Sequence, residues 1–141
     1  MFNPSRDEVR ETFFAAWRKY RAGEPLVGIE ALAVEVMLLH PEYHEVLSHP
    51  GRYRDRDYVD ESNPFLHMSL HVALEEQLSI DQPPGIVQRF GNLVRRFHDR
   101  HEALHQALEC LAETVWHAQR SQAAPDAAAY LECLAARALR R

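Results

Sequence analysis

Asn63-Pro-Phe-Leu-His67-Met-Ser-Leu-His71-Val-Ala-Leu-Glu75-Glu-Gln-Leu-Ser79 is the stretch whose periodicity decides the fold. Asn63 suits an N-cap and Pro64 the first helical position, so a single helix to about Ser79 is predicted. Each residue turns a helix by about 100°, which lines up Ser69, Ala73 and Glu76 on one face. His67, His71 and Glu75 then point about 160° to the other side. A solvated polar face opposite them puts these three residues, at i, i+4 and i+8, on the buried face.

The histidine spacing recurs. His40-Pro-Glu-Tyr-His44 and His101-Glu-Ala-Leu-His105 repeat it, so six of the nine histidines sit in i,i+4 pairs. Two side chains four apart share one face of a helix, which lets both imidazoles reach one metal ion. The His101–His105 pair opens a long helix, Arg100 to about Arg120, with Asp99 and Glu102 as a capping box. Leu104, Leu108, Leu111, Ala112 and Val115 share the side of the pair; Glu102, Gln106, Glu113, His117 and Arg120 lie opposite. The first pair is different. Pro41 disfavours helical geometry at His40 and fits the first turn of a new helical piece. HPEYHEVL is therefore a kinked continuation or a short new helix ending near Ser48, and a full break would free His40 and His44 from sharing a face.

Outward from these stretches the chain reads as helices throughout. A first helix is expected from about Pro4 to Ala22, with Asn3 as N-cap, Gly23 as stop, and Phe13, Phe14, Trp17 and Tyr20 as a core stripe. A second, Leu26 to Leu39, is apolar on nearly every side and so is expected at the centre, with Glu30 and Glu35 about 140° apart. One of those carboxylates needs a buried partner: a metal, a histidine or an arginine. Residues 49–62 form a charged linker, a solvated loop or a lid. SIDQPPGI is a turn, a helix from about Ile86 to Arg96 follows, and a terminal helix from Pro125 to Arg137 packs through Tyr130, Leu131 and Leu134. The expected fold is all-α: a bundle of about four core helices plus short accessory helices, in a single domain over residues 1–141.

Composition sets outer limits. A formal net charge of −5, with Lys and Arg spread along the chain, argues against a nucleic-acid partner. The start MFNPSRDEVR has no apolar leader core, and no apolar run approaches the roughly 20 residues of a membrane span. Cys110 and Cys133, without CxxC spacing, are expected as reduced, buried thiols in a cytoplasmic protein. A homo-oligomer is compatible with this composition.

HPEYH, NPFLHMSLHVALEEQLSIDQPPGI, HEALHQALECLAE with WHAQR, and the closing YLECL together resemble a bacterial family, domain of unknown function 1841. The resemblance covers essentially the whole chain and implies a small all-helical protein with the same histidines at its centre. It brings no activity. RRFHDRH departs from the family's pattern, which sets His98 apart from the shared histidines.

A buried neutral imidazole has one donor and one acceptor to satisfy, so several on inward faces are costly unless something binds them together. The expected site is a metal centre of His40, His44, His67, His71, Glu75, His101 and His105; Glu30 and Glu109 are further inward carboxylates whose membership the sequence leaves open. Helical bundles hold dinuclear iron this way, and a two-iron centre that binds or activates dioxygen is the first expectation. Hemerythrin-like proteins are an architectural analogy only, because their HxxxE and HxxxxD elements are not reproduced in order. A single zinc or nickel ion held by three histidines, doing hydrolytic or transfer chemistry, is the alternative. A histidine network in a non-catalytic adaptor is the other, and Tyr43 is a candidate neighbour of the centre. No nucleophile constellation, phosphate loop or HExxH stands out.

Overall fold

The computed structural model describes residues 6–58 and 63–139. They are all-α, with no strand among the described residues. The elements are α1 (Arg6–Ala22), α2 (Ile29–Leu38), a 3-10 turn (Pro41–Tyr43), α3 (His44–Ser48), α4 (Pro50–Tyr53), α5 (Pro64–Ile80), α6 (Ile86–Phe97), α7 (Arg100–Ser121) and α8 (Ala127–Leu139). No described helix is long and apolar enough to cross a membrane. The chain groups into two compact units, Met1–Val72 and Ala73–Arg141.

In the first unit, Phe13, Phe14, Ala16 and Trp17 of α1 pack with Ala33, Val34, Val36 and Met37 of α2, Leu47 of α3, and Phe65, Met68 and Val72 of α5. The aromatic stripe is core as expected, except that Tyr20 lies at its rim, stacked on Trp17. Asn3 and Pro4 lie outside the described residues. α2 departs from expectation twice. It starts later, because Gly28 takes φ 55° and the Val27 N–H donates to Glu30 Oε1 at 3.0 Å. It also exposes Ile29 and Leu38, so it buries one face and is not a central helix.

The described part of the charged linker is mostly exposed, as a solvated stretch would be, but it is not all loop. It contains α4, and its following residues are pinned to α1 by Arg10, which is 1% exposed. Arg10 Nη1 donates to the carbonyls of Arg54 and Arg56 at 2.9 and 2.7 Å, and its guanidinium lies 4.8 Å from the Phe65 ring centroid and 5.6 Å from that of Tyr58. Arg6–Asp57 and Arg54–Glu11 ion pairs flank it. Asn63 caps α5 as expected, accepting from the N–H groups of Phe65 and Leu66 at 2.9 and 3.1 Å.

In the second unit α6, α7 and α8 pack on one another. Asp81, with φ 51°, ends α5, and its carboxylate accepts from Val87 N at 3.0 Å and Gly85 N at 3.2 Å. Those bonds, Val87 first and then Gly85, hold its pKa below the usual carboxylate range. A carboxylate with a depressed folded pKa stabilises above its unfolded pKa, and that stability is lost as pH falls through the folded value. Asp81→Asn is therefore expected to lower the melting temperature at pH 7, by an amount that shrinks as pH falls below the carboxylate range, measured by thermal unfolding across a pH series.

α7 buries more than the leucine face. Ala103, Ala107 and Cys110 are also inaccessible and form a small-residue stripe on the side taken for polar. α8 packs close there, and Cys110 and Cys133 form a disulfide between α7 and α8. This overturns the expectation of two reduced thiols. The two helices bring the cysteine Cα atoms to 5.8 Å, within bridging range. α8 is further tied down by Tyr130, whose hydroxyl donates to Gln77 Oε1 at 2.7 Å and whose phenol is pushed to a higher pKa by burial. Arg137 adds bonds to Gln106 at 2.9 Å and Glu109 at 3.0 Å.

Candidate metal centre

Three of the expected ligands converge within the first unit. α5 carries His67 and His71 on one face, with ring centroids 4.8 Å apart, as an i,i+4 pair requires. The end of α2 adds His40, whose ring lies 4.5 Å from His71 and 5.0 Å from His67. Ligand atoms of His40, His67 and His71 all lie within 4.8 Å of one another. His71 and His40 are 0% and 1% exposed, and His67 is half-buried.

Pro41 produces this arrangement. His40 takes an extended backbone (φ −128°, ψ 67°) before the 3-10 turn, so the helix breaks fully between the members of the first pair. His40 is thereby turned to α5. His44 is not: its Nε2–H donates to the Met37 carbonyl at 2.8 Å and its ring lies 4.5 Å from Trp17. Trp17 in turn donates from Nε1 to Ser48 Oγ at 3.0 Å.

Hydrogen bonding sets the tautomers. His40 Nδ1 lies 2.8 Å from the Val36 carbonyl, an acceptor only, so it carries the proton and the ring's lone pair is on Nε2. His67 Nε2 is 3.2 Å from that atom and donates to it. The backbone bond on the far nitrogen is the outer support that orients metal-ligating histidines. The separation is also close to the roughly 3.3 Å edge of a tetrahedron with bonds of about 2.0–2.1 Å. Tyr43 stacks on His40, with centroids 5.5 Å apart and planes 7° from parallel, and burial raises its phenol pKa.

The expected carboxylates are engaged elsewhere. Glu75 lies in the second unit and is held by Arg100 through two bonds of 2.7 and 3.3 Å. Glu30 accepts from Lys19 Nζ at 2.7 Å, which with the Val27 N–H lowers its pKa. Glu109 pairs with Arg137 at 3.0 Å. In the second unit His101 and His105 stand as a pair, ring centroids 4.3 Å apart, both half-buried. His98 is exposed at the C-cap of α6, with φ 58°.

The family comparison agrees with this all-helical layout: the model for domain of unknown function 1841 matches residues 5–136. The chain belongs to that family. No curated protein and no solved structure matches it. In this DUF1841 chain, sequence periodicity found His67 and His71, and Pro41 marked the break that redirects His40. It missed Arg10, whose Nη1 donates to backbone carbonyls more than 40 residues away, partners that α1's own periodicity does not show.

Proposed function

We propose that this DUF1841 protein binds one transition-metal ion through His40, His67 and His71. The observation that carries the proposal is the convergence of three imidazole ligand atoms within 4.8 Å, two of them on fully buried rings. Imidazole suits zinc, iron, copper and nickel over magnesium or calcium. Three such ligands leave a four-coordinate ion one position for water, which the ion would activate for hydrolytic or transfer chemistry, or for a small molecule such as dioxygen. A two-iron centre in a helical bundle draws on several inward carboxylates. Glu30, Glu75 and Glu109 are each bound by a cationic side chain, so of the two expectations the single ion is the one we carry.

A cytoplasmic location and the absence of a nucleic-acid partner belong to the same reading, the latter supported by the net charge of −5. One observation favours a second reading, a metal-free histidine network: the bond of 3.2 Å between His67 and His40, backed by the Val36 carbonyl.

Thermal unfolding separates the two. A ligand at about 100 times its Kd stabilises the folded state by about 2.7 kcal/mol, or about 10 °C for a chain of this size. Metal-stripped protein is expected to gain that much on adding zinc or ferrous iron, with no gain from magnesium. An unchanged melting temperature with every transition metal would favour the network.

A further inference from the structure

We propose that the Cys110–Cys133 bond is a thiol-exchange site, opened by a low-molecular-weight thiol that enters beside it and attacks Sγ of Cys133. The two half-cystines differ in access: Cys110 is 0% exposed within the small-residue stripe of α7, whereas Cys133 is half-buried on α8. Both line an open cavity of about 460 Å³, with Glu113, Thr114, His117 and Asp126 among its other walls. That volume is within the range of small-molecule sites. A disulfide sealed in a core gives an attacking thiolate no approach; this one forms part of a cavity wall, and exchange rates depend on such access.

The steps balance without another reagent. The thiolate of the incoming thiol bonds to Cys133 Sγ as the Cys133–Cys110 bond breaks, and Cys110 leaves as a thiolate that takes up the proton. The first product is a mixed disulfide on Cys133 and a thiol on Cys110. A second molecule of thiol then attacks the mixed disulfide, leaving Cys133 as a thiol and releasing the small-molecule disulfide. Oxidation reverses the sequence.

Reduction does not release α8. Its Tyr130–Gln77 bond, its Arg137 bonds to Gln106 and Glu109, and buried Leu134 all remain, so the two sulfurs stay near one another and the bond can re-form. The 23-residue separation is therefore closed by packing as well as by the bond. This inference is independent of the metal centre, since it uses only residues of α7 and α8 and the cavity beside them.

The full-length native protein is titrated with reduced and oxidised glutathione, followed by alkylation and intact mass measurement. The wild type is expected to interconvert between disulfide and dithiol forms as the ratio changes. With oxidised glutathione, Cys110→Ser is expected to capture one glutathione at Cys133, and Cys133→Ser to react at Cys110 at least about tenfold more slowly, because access controls the rate. A wild-type bond that resists every ratio of native-state reduction would overturn the proposal. So would two thiols that stay alkylatable under oxidised glutathione, or equal capture rates in the two variants. Circular dichroism checks that each variant is folded, and the wild-type titration decides the first two outcomes without any variant.

Discussion

His71→Asn is expected to weaken metal binding at least about 100-fold, the upper end of the loss that follows disturbing even an outer support of a metal ligand. His71 is the ring closest to the centre of the cluster, 4.5 Å from His40 and 4.8 Å from His67. It is also 0% exposed, so no solvent-facing side chain replaces it. Asparagine keeps a polar group in the cavity, which limits the cost of leaving His40 and His67 beside an apolar hole. Some stability is lost in the metal-stripped form, as most core substitutions cause. The readout is therefore the metal-dependent shift in melting temperature of each protein against its own stripped form. The wild-type gain of about 10 °C is expected to fall to near zero in His71→Asn at the same metal concentration. A gain equal to that of the wild type would show that His71 is no ligand.

Arg10→Met carries the largest expected stability loss outside the histidines. The guanidinium is buried, donates to two backbone carbonyls more than 40 residues away in sequence, and lies over two aromatic rings. Removing it leaves the carbonyls of Arg54 and Arg56 without their donor and removes a cation from the Phe65 and Tyr58 faces. Methionine fills most of the volume, so the loss reports the polar and cation–π contacts. About 3 kcal/mol is expected, or a melting temperature lower by about 10 °C. Arg10→Lys should recover only part of it, because a single ammonium does not reproduce the planar fork over the rings. Urea unfolding of the two variants beside the wild type checks the order. A loss below about 0.5 kcal/mol in Arg10→Met would contradict the pinning role.

What the sequence showed of this fold follows from which signals are local. The Asn63-Pro64 cap, the inward face of His67 and His71, and the Pro83-Pro84-Gly85 turn depend on a few neighbouring residues, and each has its expected place. Pro41 showed that the helix could break but not where His40 would turn, since that depends on α5 more than 20 residues later. Tertiary partners account for the misses. Cys110 falls among polar residues on a helical wheel, yet it is fully buried and bonded to Cys133 of α8, a partner 23 residues later in the chain. Glu75 lies on the face of His67 and His71 by periodicity, but one further turn of helix brings it to Arg100. A helical wheel gives direction, not partner.

X-ray absorption at the metal edge of untagged protein loaded with one equivalent of zinc decides whether His40, His67 and His71 share one ion. One nitrogen or oxygen shell at about 2.0–2.1 Å is expected, with the outer-shell scattering of at least three imidazoles and no second metal at about 3.5–4 Å. A shell without imidazole scattering, or zinc that washes off in the loading buffer, would contradict it.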